Sequence, residues 1–385
     1  MNFVYLSPHF PPNFRAFSRN LSETGANVLG IADVPYDEIG DDLKKCLREY
    51  YRVGSLEDYD QVYRATAYFI HKYGRIDMVT SMNEYWLETE AALRTDFNIP
   101  GVKSDGISWI RRKSLMKWKF TNAGVPVADG HVIRGWDDAA DFLKRKGEIV
   151  IKPDAGMGAV NAFKIRNEED LEDFFRRKTD EDYIAEEFVP GRICTFDGLC
   201  DTEGNIVFSA SHEYESAMDL VNQRKSVSIY SKMEIPHDLE EAGRRIVNEF
   251  QVKGTFFHFE FFRTPEGRLV ALEVNMRPPG GYIIDMCNFA SDIDLYKEWA
   301  NVVTGKGFSA SAGKKYFCAF ASRRTRERKY RRSNEEINAK FGGIITMADR
   351  IPGILAEGMG DFVYIARSRS MDELRDFVSF VQEEI

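Results

Sequence analysis

The sequence is short of the features that mark a membrane, secreted or disordered chain. No apolar run reaches the ~18 residues that a membrane helix needs. The opening "MNFVYLSPHFPP" has no basic start, and its apolar run stops at Pro8. It is expected to be a first strand and not a signal peptide, and no membrane partner is expected. Repeats and low-complexity tracts are absent, and 13 prolines in 385 residues are too few for long disorder. The five cysteines (Cys46, Cys194, Cys200, Cys287, Cys318) are scattered, odd in number and free of C-x-x-C pairs. They read as free thiols in a reducing compartment, so a cytoplasmic location is expected. A positive balance is lacking too. The net charge of −9 argues against nucleic acid as a partner. The exception, "RRTRERKYRR" (323–332), reads as a solvated helix face or exposed loop before it reads as a phosphate patch.

What is there is length enough for two or three packed units. Up to about residue 105, strand and helix signals alternate: "FVYL", "NVLGIAD" and "IDMVTS" read as strands, "EDYDQVYRATAYFIHKYG" and "YWLETEAALRTDF" as helices. That alternation predicts a parallel sheet covered by helices. The loop after the first strand, "SPHFPPNF", contains no glycine, so the dinucleotide fingerprint is missing and a nicotinamide fold is not expected. "SWIRRKSLMKWKFTNAG" predicts one basic amphipathic helix ending at Gly124. "EIVIKPDAGMGAVNAFKI" predicts two strands around a glycine loop, and "DYIAEEFVPG" a strand and turn. From "GRICTFDGLCDTEGNIVFSAS" onward the pattern is antiparallel.

The stretch "HFEFFRTPEGRLVALEVNMRPPGG" (258–281) carries the most chemistry. Side chains alternate along a strand, so His258 and Glu260 share a face, as do Glu273, Asn275 and Arg277. "TPEG" is a turn with proline at its second position. A four-residue loop would pair Arg263 with Arg268 and His258 with Glu273, leaving Glu260 and Glu273 as diagonal neighbours. Two carboxylates and an amide oxygen are hard ligands that suit Mg²⁺, and a divalent cation between them removes their mutual repulsion. The alternative is pairing of both acids with Arg263, Arg268 or Arg277 on a wet face, which the flanking "FFHF" and "LVALEV" disfavour. His258 by itself reads as a structural hydrogen bonder. In "IVIKPDAGMGAV", a strand delivers Lys152, and Gly156 and Gly158 follow where backbone amides can approach phosphate. The P-loop spacing is absent, so a plain glycine hairpin explains that motif equally well.

Taken in order, Lys113, Lys152, the glycine loop, "AEEFVPG", Glu260 and "EVNMRP" resemble the ATP-grasp family from about Trp109 to Gly305. The resemblance implies an α/β and α+β architecture: an N-terminal parallel-sheet domain (1–108), a small α+β lid (109–190), a larger antiparallel α+β metal and catalytic unit (191–306) and a closing subdomain (307–385). It implies ATP with Mg²⁺, two ions, which Mn²⁺ can replace. Lys113 corresponds to the first nucleotide lysine, although Arg112 stands where the family usually has aspartate. Lys152 corresponds to the second lysine, on the α/β phosphates, and Gly156 to Gly158 to the flap above them. Glu186 would accept from the adenine amine, and backbone groups of Glu187 and Val189 would read the ring edge. The chain has "PGRICTFD" where the family often has P-G-x-E, which leaves Asp197 for the ribose. Glu260, Glu273 and Asn275 correspond to the metal ligands, and Arg277 to an arginine on the transferring phosphate.

The implied activity is ligation of a small carboxylate to an amine, amino acids among the candidates, through an acylphosphate. Arg192, Arg224 and Lys225 are candidates to anchor the carboxylate, Glu84 with Tyr85 and Trp86 to hold the amine, and Gly280 and Gly281 to supply amides at the phosphate end. Two alternatives stand beside it: a bicarbonate-activating carboxylase or carbamoyl-phosphate type of enzyme, and a nucleotide-binding regulator without turnover. The expected partners are small molecules, with self-association into a homo-oligomer compatible.

Overall fold

The computed structural model describes residues 1–156, 161–214, 225–311 and 313–385. Gly158 and Arg224 lie outside the described residues. The first sheet is parallel, in the order β3-β2-β1-β4, from β1 (Asn2–Leu6), β2 (Asn27–Ala32), β3 (Glu49–Arg52) and β4 (Met78–Thr80). Strands β1 and β2 are almost wholly buried runs, as strands covered on both faces require, while the edge strand β3 is only partly buried. Of the longer helices, numbered here in chain order, α1 (Arg15–Glu23), α2 (Tyr59–Tyr73) and α3 (Leu87–Asp96) belong to this part. Asp58 caps α2 by accepting from the Gln61 N–H, and Gly74 ends it at φ 84°. Phe17 of α1 joins this part to the rest. Its ring meets Phe14, Phe256, Tyr296 and Trp299 edge-on, at centroid distances of 4.7 to 5.6 Å.

The lid sheet is antiparallel, in the order β5-β8-β6-β7, from β5 (Gly130–Val132), β6 (Ile149–Pro153), β7 (Phe163–Ile165) and β8 (Tyr183–Glu187). Before it come α4 (Lys113–Asn122) and, packed on one face, α5 (Trp136–Lys146) and α6 (Glu168–Arg177). Ile149 and Ile151 are buried against those helices. Lys152 therefore points to the other face, by the period of two.

The single amphipathic helix expected over 108–124 is broken. A short helix, Ser108–Arg111, stops at Arg112, which is extended (φ −99°, ψ 119°), bridges to Ala155 and is followed by α4. The break lets Arg112 reach Asp154 at 2.7 Å and Asp182 at 2.5 Å. It also starts a fresh helix at Lys113.

The large antiparallel sheet runs β14-β13-β9-β11-β12-β15-β17-β16, with β10 on the side of β9. Its strands are β9 (Arg192–Cys200), β10 (Ile206–Ala210), β11 (His212–Tyr214), β12 (Ser228–Ser231), β13 (Phe256–Arg263), β14 (Leu269–Asn275), β15 (Phe317–Arg323), β16 (Ile345–Arg350) and β17 (Phe362–Ser368). Helices α7 (His237–Phe250), α8 (Ile283–Ser291), α9 (Leu295–Val303) and α10 (Met371–Val381) pack on it. The tail beyond residue 306 is not a separate layer: β15 pairs with β12 and carries the same sheet onward. A strand edge left open at β12 would expose unpaired backbone, and β15 covers it. The basic run 323–332 is structural over much of its length. Arg323 and Arg324 are buried, and Arg328 and Arg332 pair with Glu384 and Glu383 near the C-terminus at 2.8 and 2.9 Å. Among the described residues, no helix is long and apolar enough to cross a membrane. All five cysteines are free.

Candidate functional site

Hairpin β13–β14 differs in register from the simple turn count. Arg263 pairs with Leu269, and a shift between Glu260 and Phe261 leaves Leu272 as an extra residue. The result is that Glu260 pairs directly with Glu273, and His258 with Asn275. The five-residue connection and the bulge each move the register by one. The carboxylates are thus direct and not diagonal neighbours, on one face, both largely buried.

Two further elements converge on that face. From α4, Lys113 Nζ lies 3.4 Å from Glu273 Oε1 and 3.2 Å from the Gly156 carbonyl. The N-terminus of α4 has no cap of its own. Asp154, fully buried after β6, supplies one: it accepts from the Ser114 N–H at 2.7 Å and from Arg112 Nε at 2.7 Å. Arg112 thus helps to anchor the helix of Lys113 through an aspartate of the neighbouring loop. From the lid, Lys152 Nζ bonds Glu186 at 2.6 Å, and Lys117, one turn after Lys113, bonds the same carboxylate at 2.8 Å.

Charge explains how these buried groups coexist. Burial pushes the Glu186 carboxyl up, but Lys152 and Lys117 outweigh it and hold it at about 2. For Glu260, burial is outweighed by hydrogen bonds from His258 and Tyr214 and by Arg277, and its pKa is lowered. Glu273 goes the other way. Burial and the charges of Glu260 and Glu84 raise it against Lys113 and Lys152. His258 is held cationic: burial opposes its charge, yet Asp197 at 2.5 Å and Glu260 push it up to about 10. A pair of acids split in this way lacks positive charge between its members. Glu260, Glu273 and the Asn275 amide oxygen form a hard-oxygen donor set that fits a magnesium ion.

Arg277 leaves the hairpin and donates to Asn275 Oδ1 at 3.1 Å and to Glu84, which also accepts from Arg111 at 2.9 Å. Glu84 is therefore committed to two arginines and is not free to hold an amine. Tyr85 remains half exposed beside it and bonds Glu57. Asp197 is a correction to the expected ribose contact. It is 2% exposed, and its oxygens take hydrogen bonds from His212 (2.7 Å), His258 (2.5 Å) and Thr195 (2.5 Å). It supports His258 from behind and offers no free acceptor. At the hinge, the Glu187 N–H donates to Asp129 O at 2.8 Å, and the Glu187 side chain bonds Lys146 at 3.1 Å. Val189 packs with Ala128 and Val270. Arg192 pairs with Glu213 at 3.3 Å, and Lys225 is exposed. Gly281 adopts φ 64°, and its carbonyl accepts from Asn13 at 2.9 Å.

The sequence alone did not single out Lys117, Arg111, Asp154, His212 or Tyr214. Lys117 had a signal, four residues after Lys113 on one helix face. Tyr214 bonds Glu260 across two strands that only the fold brings together.

A small antiparallel lid faces a larger sheet, with lysines from the one and paired acids from the other, and the segment that carries Lys152, Glu260 and Glu273 is similar to ATP-grasp domains. Residues 146–285 match the family model for the ATP-grasp domain. Among curated proteins, the chain is 26% identical over 247 residues to an L-arginine-specific L-amino acid ligase of Bacillus subtilis. That match spans 60% of this chain and 59% of that protein. Among solved structures, the L-amino acid ligase of Bacillus licheniformis superposes with a TM-score of 0.77 at 14% identity, covering 100% of this chain and 98% of that one. The biotin carboxylase domain of the Hydrogenobacter thermophilus 2-oxoglutarate carboxylase, solved with MgADP and bicarbonate, gives 0.69 at 15% identity, covering 100% and 90%. At such identities the two structures speak for the fold.

Proposed function

We propose that the protein is an ATP- and Mg²⁺-dependent ligase that activates the carboxylate of an amino acid and joins it to the amine of a second amino acid. The observation that carries this is the direct pairing of Glu260 with Glu273, flanked by Lys113, Asn275 and Arg277. The similarity to two L-amino acid ligases supports the choice of substrate class. Magnesium held by Glu260, Glu273 and Asn275 supplies charge neutralisation for the triphosphate.

The residues of the chain position and balance charge. Lys152 moves from Glu186 to the nucleotide phosphates, and Lys117 keeps Glu186 ionised. Lys113, fixed by the Asp154 clamp, offsets negative charge at the phosphate end as a compact cation. Arg277, aimed by Glu84, faces the transferring phosphoryl group. The substrate carboxylate oxygen bonds to the γ-phosphorus as the bond to ADP breaks. The amine nitrogen then bonds to the carbonyl carbon, phosphate leaves, and the nitrogen loses a proton. Orientation within the closed cleft keeps water from the acylphosphate.

The test is ADP release with amino acids offered singly and in pairs, with dipeptide detected by mass. Paired amino acids should raise ADP release and give a product heavier than either. Phosphate release driven by bicarbonate alone would move the chain to the carboxylase alternative, and ADP release indifferent to every amine would end the ligase proposal.

A further inference from the structure

We propose that Tyr214 is a positioning residue of the metal site proposed above, on which this role rests: it ties up one oxygen of Glu260, so that the acid offers its other oxygen alone and the site favours a small octahedral ion such as Mg²⁺ over Ca²⁺. Tyr214 ends β11, and in the large sheet β9 lies between β11 and β13. Across β9, Tyr214 pairs with Ile193, Glu260 with Thr195 and His258 with Asp197. Ile193, Thr195 and Asp197 point to one side of β9 by the period of two, so Tyr214 and His258 share the face of Glu260.

The hydrogen bonds there are one-sided. The Tyr214 hydroxyl reaches across β9 and donates to Glu260 Oε1. His258 Nε2 stands 3.6 Å from that same oxygen. The imidazole is fixed from behind. Its Nδ1 is bonded to Asp197 at 2.5 Å, and Asp197 is held in turn by His212 at 2.7 Å and Thr195 at 2.5 Å. A carboxylate oxygen carries about two lone-pair sites, and at Oε1 both are addressed. Among the described residues, no hydrogen bond falls on Glu260 Oε2.

The consequence is one of coordination. Calcium takes about six to eight oxygens and often grips a carboxylate by both of them, whereas magnesium is smaller and demands a near-octahedral set. Manganese accepts the octahedral set as well. A Glu260 pinned at Oε1 suits the smaller ions. Released from the tyrosine hydroxyl, it can turn and give both oxygens, which favours calcium. Partners that hydrogen-bond a ligating group change metal affinity by about 10–100-fold.

The test is the ADP affinity of the full chain, by titration calorimetry, in saturating Mn²⁺, in saturating Ca²⁺ and in EDTA, for the parent and for Tyr214→Phe. Phenylalanine keeps the ring that packs against the core and removes only the hydroxyl. The parent should bind ADP more tightly with Mn²⁺ than with Ca²⁺. In Tyr214→Phe the ratio of the two affinities should move about ten-fold toward calcium, with the affinity in EDTA unchanged. Equal weakening in all three conditions would make Tyr214 a support of the fold alone, and an unchanged ratio would leave Glu260 indifferent to it; either result overturns the role. A parent whose ADP affinity ignores both metals would remove the metal site itself, and the role of Tyr214 with it. No amino acid is present and no turnover is read, so the outcome is separate from the choice of ligase substrates.

Discussion

Glu260 and Glu273 stand directly opposite each other across the β13–β14 pair, because Leu272 bulges out of register beside them. Burial and the neighbouring acid leave Glu273 with a raised pKa. Two acids so placed repel each other, and a cation held between them would remove that repulsion. Glu273→Ala should keep the fold, read by circular dichroism, and lower Mg²⁺-dependent ATP turnover by at least about 100-fold. Normal turnover in that variant would remove the metal assignment.

Glu84 joins the N-terminal sheet region to the hairpin through Arg111 and Arg277. Glu84→Gln keeps the shape and removes the charge that aims Arg277. Turnover is expected to fall about ten-fold or more, with MgADP affinity changed far less, because the place proposed for Arg277 is the transferring phosphoryl group and not the adenosine end. A loss confined to nucleotide affinity would place Arg277 elsewhere.

Glu186 sits between Lys117 and Lys152 with its pKa lowered to about 2. Removing one member of a buried ionic group strands the others, at a cost of about 3–5 kcal/mol. Glu186→Gln should therefore lower the urea midpoint at pH 7. The sign follows from linkage. A depressed carboxylate contributes stability that is present above the unfolded value of 4.5 and is lost as pH falls toward 2. The gap between parent and variant should narrow on acidification from pH 5 to pH 3. A gap that stayed constant would show that packing, not charge, holds Glu186.

Much of this arrangement was legible before the structure, and the residues show why. The shared face of Glu260 and Glu273 could be read locally, because the expected and observed registers differ by two residues and so keep the same facing. The register could not, because a bulge at Leu272 depends on how β13 also pairs with β9. Arg112 reads as mid-helix by pattern, and only Asp154 and Asp182, 42 and 70 residues away, pull it into an extended conformation. Asp197 carries no local sign that two histidines enclose it. Helix α5 (Trp136–Lys146) went unmarked, although its first turn holds Asp137 and Asp138 and its last turn Lys144 to Lys146, the charge order that suits the helix dipole.

Asp285 is a buried acid outside the proposed chemistry, and it makes a separate statement about stability. It lies in the first turn of α8, where Oδ1 accepts from Tyr296 OH at 2.9 Å and Oδ2 has no partner. Burial raises its pKa from 3.8 to about 6, against the hydrogen bond from Tyr296. A raised carboxyl keeps its proton in the folded chain after the unfolded chain has lost it. Stability is then lost as pH climbs from about 4 to 6, by about 3 kcal/mol at the full extent of the shift. Asp285→Asn retains an acceptor for Tyr296 and cannot ionise. Its stability relative to the parent should rise between pH 4 and pH 7 and level off above. Urea unfolding across that range measures it directly, and a difference that is flat with pH would mean that Asp285 is not the group that burial holds protonated.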